Sequence, residues 1–233
     1  MKRERNKRAI KDRRDTRQRE QRQRAMVQIG AVMVTVLVLA MIGFFTLRVG
    51  NSGPDVSAER LELDPILGNP DAPVTVIEYA AYGCDACRQW HEAGIIDQIL
   101  LMYPDQVRVI YRDMPIILPG WSQSMGEIAQ CAFDQGNEAF WSAHDTLFED
   151  TQLGRTSTAD ALDLVITNNP ALDGDTLREC FDANTHARTV RYDMERPEAL
   201  AIRGTPTWFV NGQQVYSASP QTIIQLIESA LGS

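Results

Sequence analysis

Residues 74–87 read Val74-Thr75-Val76-Ile77-Glu78-Tyr79-Ala80-Ala81-Tyr82-Gly83-Cys84-Asp85-Ala86-Cys87. The run from Val74 to Tyr79 is β-rich and mostly apolar, as a buried strand must be, with Glu78 as its interruption. A helical segment follows Cys84 to about Met102 and carries Trp90, Ile95, Ile96, Ile99 and Leu100. Val107-Arg108-Val109-Ile110-Tyr111 is a second strand. Strand, helix and strand in this order imply a right-handed parallel crossover.

The C-x-x-C of Cys84 and Cys87 therefore falls between a strand and a helix. A thiolate at a helix N-terminus is stabilised by unpaired N–H groups and by the positive end of the helix dipole. Two intervening residues bring the second thiol within reach to form or resolve a mixed disulfide. Two other chemistries use the same residues. Cys84, Cys87 and His91, with Cys131 or Cys180, could ligate zinc, although structural zinc recruits a second closely spaced pair and Cys131 and Cys180 are 49 positions apart. An inert structural disulfide is the other. Redox exchange, without metal or cofactor, is the expectation.

Downstream, residues 120–203 carry helical signals. Met125, Ile128, Cys131 and Ala132 share one helical face, as do Leu177, Cys180 and Phe181. Thr207-Trp208-Phe209-Val210 and Gln214-Val215-Tyr216 are short strands around Asn211-Gly212, the preferred type I′ hairpin turn. Ser219-Pro220 starts the last helix as N-cap and first-turn proline. The order βαβ, helical block, ββα is an α/β thioredoxin fold with a helical insertion at about 117–203. Cys131 and Cys180, on apolar faces within the insertion, are expected to pair. Closing a loop of that size contributes roughly 4 kcal/mol in the chain-entropy model. The alternative is two reduced cysteines packed as small hydrophobes.

Upstream, the charge is sorted by position. The chain has 233 residues, with 23 Lys+Arg against 31 Asp+Glu and a net charge of −8. Residues 1–24 hold 12 basic and 4 acidic side chains, residues 25–47 hold none, and residues 48–233 hold 11 arginines against 27 acids. The hydrophobic content of 44% excludes disorder throughout, and the acidic balance argues against a nucleic-acid partner. Residues 25–47, AMVQIGAVMVTVLVLAMIGFFTL, would reach about 34 Å as a helix, enough to span a bilayer with some tilt. A signal peptide would have a shorter apolar core and a small-residue cleavage site, which Phe44-Phe45 does not provide. The expectation is one N-terminal transmembrane helix, with lipid contact through 25–47. The basic tail 1–24 then stays on the cytoplasmic side, with a tether at 48–63 and an extracytoplasmic domain at 64–233.

The chain resembles the DsbA-like thiol–disulfide oxidoreductases, in particular the membrane-anchored bacterial type. Four stretches carry the resemblance in order: Val74 to Tyr79, the C-x-x-C at 84–87, Ala132 to Phe148 (AFDQGNEAFWSAHDTLF), and Gly204-Thr205-Pro206-Thr207 before Phe209-Val210-Asn211-Gly212. The resemblance implies that Cys84 is the exposed nucleophile and Cys87 its buried resolving partner. It implies that Pro206 is a cis-proline facing them, with the Thr205 backbone free to pair with an extended substrate, and not an ordinary trans turn. It implies that Glu78 is a buried acid with a raised pKa that shuttles a proton to Cys87, and not an outward-facing edge residue. It further implies reduced or unfolded exported proteins as substrates and a membrane redox partner.

The chain departs from the pattern at Asp85-Ala86, where strongly oxidising members carry Pro-His. Asp85 should act against the Cys84 thiolate by about half a pKa unit at near-water dielectric. His91 and His144 read as surface and structural residues, and Trp121, Trp141 and Trp208 as core or groove aromatics. Oxidation is the expected direction. A reductase or isomerase using the same site, or a non-enzymatic peptide-binding module, is the rival.

Overall fold

The computed structural model describes residues 64–196, 198–215 and 219–232. The basic tail, the apolar stretch 25–47 and the tether lie outside them. Among the described residues no helix is long and apolar enough to cross a membrane.

Every residue of β2 (Val74–Ala80) is buried, Glu78 included, because both faces of the strand are covered. It pairs in parallel with β3 (Val107–Asp113), in a register that sets Val74 beside Val107 and Glu78 beside Tyr111. On its other side runs β4 (Thr207–Val210), antiparallel, with Glu78 opposite Trp208. The two-residue β5 (Gln213–Gln214) closes the hairpin through Asn211 and Gly212, both at positive φ (46° and 79°). Tyr216 of the expected strand lies outside the described residues. Ile66–Gly68, outside the strands expected from the sequence, form β1, antiparallel to β3. Gly68 permits this close approach: at φ +90°, a Cβ there would meet the Val107 carbonyl at 2.7 Å. The strand order is β1-β3-β2-β4-β5.

The helix expected from Cys84 to Met102 is two helices, α1 (Asp85–Glu92) and α2 (Ile95–Met102). Gly94 between them sits in the left-handed region at φ 61°, a break that glycine takes without steric cost. The turn lets Ile99 of α2 pack with Val74, Val107, Trp208 and the last helix.

Between β3 and β4 run α3 (Pro119–Phe133), α4 (Asn137–Glu149), α5 (Thr158–Asn168), α6 (Gly174–Asp182), α7 (Ala187–Glu195) and a 3-10 turn at Ala199–Ala201. Their starts are capped where the sequence offers an oxygen: Ser157 accepts from the Asp160 N–H, and Asp173 from those of Asp175 and Thr176. The final helix, α8 (Pro220–Leu231), is capped by Ser219. The insertion packs Met125, Ile128, Phe140 and Leu147 against Tyr82 and Tyr111. Cys131 on α3 and Cys180 on α6 are joined in a disulfide with Cα atoms 5.8 Å apart.

A buried ion network, absent from the sequence reading, ties β3 to the insertion's end. The Arg112 guanidinium is 1% exposed and bonds Asp64 at 2.8 Å and Glu198 at 2.7 Å. Arg196 bonds Asp64 at 2.7 Å and Asp193 at 3.0 Å, and Asp193 accepts from the Asp113 N–H.

Candidate active site

Cys84 is the N-cap of α1, in extended conformation (φ −96°, ψ 116°), and its sulfur accepts a hydrogen bond from the Cys87 N–H at 3.3 Å. As a thiol it donates to the Thr205 carbonyl at 3.2 Å, the two residues being 121 positions apart. The bond between Thr205 and Pro206 is cis. Both active-site cysteines are reduced. The expectation of an exposed nucleophile needs correction, because Cys84 is only 5% exposed and Cys87 1%. The loop that brings the Thr205 carbonyl onto Cys84 lies too far along the chain to be read locally.

The two thiols are electrostatically unequal. Cys84 is lowered to about 6, first by the hydrogen bond from the Cys87 thiol, then by bonds from Thr205 and from the backbone of Cys87 and Ala86, which together outweigh burial. The Thr205 hydroxyl, buried and without a partner among the described residues, finds its acceptor when Cys84 ionises. Cys87 is pushed far up, mostly by burial, then by its bond to Cys84 and by the negative charge available at Glu78. Glu78 is pushed up to about 8, by burial first and by Cys84 second. Its place in fully buried β2 excludes the outward-facing edge position. Asp85 is exposed, and its carboxylate accepts from Gln89 Nε2 at 2.9 Å.

His91 departs from the expected surface position. Its side chain is 15% exposed, stacks on Phe148 at 5.1 Å, and places Nε2 3.5 Å from Glu149 and 3.8 Å from Asp145. His144 is buried among Phe140, Trp141 and Phe148, with Nδ1 3.0 Å from the Tyr82 hydroxyl. Burial, and secondarily His91, holds it well below the usual histidine range. Trp208 is buried and Trp141 nearly so, while Trp121 donates from Nε1 to the Thr156 carbonyl. His186, which has no role legible in the sequence, lies 2.8 Å from Asp134 beside the Cys131–Cys180 disulfide. Among the described residues, Cys131, Cys180 and His186 have metal-ligand spacing, but the two sulfurs are bonded to each other at 2.05 Å and offer no thiolate.

An apolar rim also escaped the sequence reading. Ile116, Ile117 and Leu118 are 37%, 42% and 45% exposed. They adjoin Gly83, where a Cβ would meet the Ile117 carbonyl at 2.8 Å and Leu118 Cβ at 3.0 Å. Their only sequence signal was a short apolar run before Pro119.

With the dithiol, its helix and the cis peptide in place, comparison with known proteins is informative. The family model described as Thioredoxin matches residues 61–229. The chain belongs to the thioredoxin family. Within it, the chain is a DsbA-like thiol–disulfide oxidoreductase. It is 26% identical to the probable disulfide bond formation protein D of Bacillus anthracis, over 78% of this chain and 86% of that one. It is 28% identical to the disulfide bond formation protein D of Bacillus subtilis, over 72% and 77%. The crystal structure of oxidised BdbD from Bacillus subtilis superposes with a TM-score of 0.66 at 26% identity, covering 74% of this chain and 95% of that one. A sodium/proton antiporter of Salinispora tropica is 33% identical over 65% of this chain, but the chain spans only 22% of that protein.

Proposed function

We propose that this thiol–disulfide oxidoreductase is held at the membrane by residues 25–47 and oxidises reduced or unfolded exported proteins. One arrangement carries the oxidising direction: Cys84 caps α1 beside the Cys87 thiol and N–H and is thereby lowered to about 6, while the more deeply buried Cys87 is pushed far up. A thiolate at Cys84 exists only in the reduced protein. Whatever stabilises it favours reduction of the 84–87 disulfide, and hence oxidation of the substrate.

The reaction balances within the dithiol. A substrate thiolate attacks Cys84 Sγ, the 84–87 bond breaks, and its electron pair goes to Cys87, which takes a proton from Glu78. A second substrate thiolate then attacks the substrate sulfur of the mixed disulfide and expels the Cys84 thiolate. The enzyme ends reduced, and a membrane-embedded oxidant would restore its disulfide. The apolar rim at Ile116–Leu118 suits an unfolded chain, and Thr205 is positioned beside the reacting sulfur.

The test is catalysed disulfide formation in a reduced, unfolded substrate, with the reduction potential of the 84–87 pair measured alongside. The proposal expects turnover that vanishes in Cys84→Ala and a potential well above that of a thioredoxin-like reductant. A potential near about −270 mV would refute the oxidising direction and favour a reductase. Turnover that survives in Cys84→Ala would refute the site.

A further inference from the structure

Two cavities share His91, Ile96 and His144 as a common wall. A void of about 10 Å³ is lined by Glu78, His91, His144, Trp208 and apolar groups of Trp90 and Phe148. That is close to the room one water molecule needs. Trp208 Nε1 is buried without a hydrogen-bond partner among the described residues, so the void offers a donor as well as the Glu78 carboxyl. On the outer side, a pocket of about 190 Å³ is lined by His91, His144, Trp141, Asp97, Asp145 and Glu149.

Both histidines border both cavities, but only one is free to carry protons. His144 is wholly buried, tied to the Tyr82 hydroxyl and held neutral. His91 reaches the surface and points Nε2 at Asp145 and Glu149. The titratable groups around it are thus Glu78 from β2, His144, Asp145 and Glu149 from α4, and Asp97 from α2.

We propose that His91 relays protons between Glu78 and solvent during thiol–disulfide exchange, through one water molecule in the void. His91 is a positioning residue that acts through Glu78, and the inference rests on the oxidoreductase reading. The need arises at Cys87, which must lose a proton before it can resolve a mixed disulfide at Cys84. In that step the Cys87 thiol gives its proton to the Glu78 carboxylate. The Cys87 sulfur attacks Cys84 Sγ, the 84–87 bond forms, and the bond to the departing thiolate breaks. Glu78 passes a proton to the water, the water passes one to His91, and His91 releases one at the Asp145–Glu149 rim. When the protein oxidises a substrate, the same chain of transfers runs inward.

The experiment follows reaction of the reduced protein with glutathione disulfide by stopped flow, across a pH series. Attack by Cys84 is separated from resolution by Cys87. In His91→Ala, resolution should slow about tenfold while the first attack is unchanged, less than the roughly hundredfold or more of a direct acid–base group because His91 acts through Glu78. Added imidazole should restore the rate in proportion to its concentration, which a purely structural role would not allow. In a Glu78→Gln background, the His91 change should have no further effect. His91→Gln, which keeps a planar group against Phe148 but holds no titratable proton, replaces the alanine variant if that variant fails to fold. A resolution rate within about twofold of the parent at every pH, or slowing that persists in Glu78→Gln and ignores imidazole, would overturn the relay alone. Failure of the parent to react with glutathione disulfide would overturn the oxidoreductase reading and the relay with it.

Discussion

The reduction potential of the 84–87 pair should change slope with pH close to the point where Cys84 titrates. Below about pH 6, reduction of the disulfide takes up two protons with two electrons, and the potential falls by about 59 mV per pH unit. Above that point Cys84 stays a thiolate, only Cys87 takes a proton, and the slope halves to about 30 mV. The break is placed by the value of about 6 for Cys84, set first by the Cys87 hydrogen bond. Relative to a dithiol with an ordinary thiol near 8.5, the reduced form at pH 7 gains about a factor of ten, or about 1.4 kcal/mol and 30 mV. Glu78 adds a smaller feature. Its carboxyl is raised to about 8 in part by the Cys84 charge, so the reduced form keeps that proton to higher pH than the oxidised form does. The slope should therefore steepen again just below that value, and Glu78→Gln should remove this second inflection. The assay equilibrates the protein with thiol redox buffers at a series of pH values, traps free thiols by alkylation and measures the oxidised fraction. A single uniform slope up to about pH 8.5 would refute the reasoning, because Cys84 would then titrate as an unperturbed thiol.

Three further outcomes follow from the packing. Replacing Cys131 and Cys180 together with alanine opens a loop of sequence separation 49 and should lower unfolding free energy by roughly 4 kcal/mol in urea titration, with exchange at Cys84 retained while the protein stays folded. Asp113 is pushed up to about 8, by burial first and Asp193 second, so between about pH 4 and that value the folded state holds a proton the unfolded state lacks. Stability should fall across this window as pH rises, by up to about 1.4 kcal/mol per unit, and Asp113→Asn should flatten the curve measured by thermal or denaturant unfolding. Asp85→Asn should lower the Cys84 titration, followed by thiolate absorbance, by no more than about half a unit, since the carboxylate is exposed and engaged by Gln89.

The sequence by itself determined whatever short-range chemistry controls. A C-x-x-C after an apolar strand, an Asn-Gly between two strand runs and a Ser-Pro before an amphipathic run each dictate local geometry within a few residues. All three are found at α1, the β4–β5 turn and α8. β1 was illegible because three residues are too few for a period, and its pairing is decided by the β3 edge it lies on. The break at Gly94 was hidden because a single glycine inside a helical run is a weak local signal, and the left-handed turn there is stabilised by how α1 and α2 pack.

The tertiary structure alone decided how the site works. Chain contacts over long separations set the Thr205 carbonyl on Cys84, chose Tyr111 and Trp208 as the neighbours of Glu78, and turned His91 inward against Phe148. Arg112, read only as part of a strand, became the centre of a buried ion network with Asp64 and Glu198. The physical reason is common to all of these. A side chain's ionisation depends on the solvent it loses and the charges it gains, and both are set by residues far away in sequence. Two cysteines three apart can be read from the chain, but the difference between their thiols is made by packing.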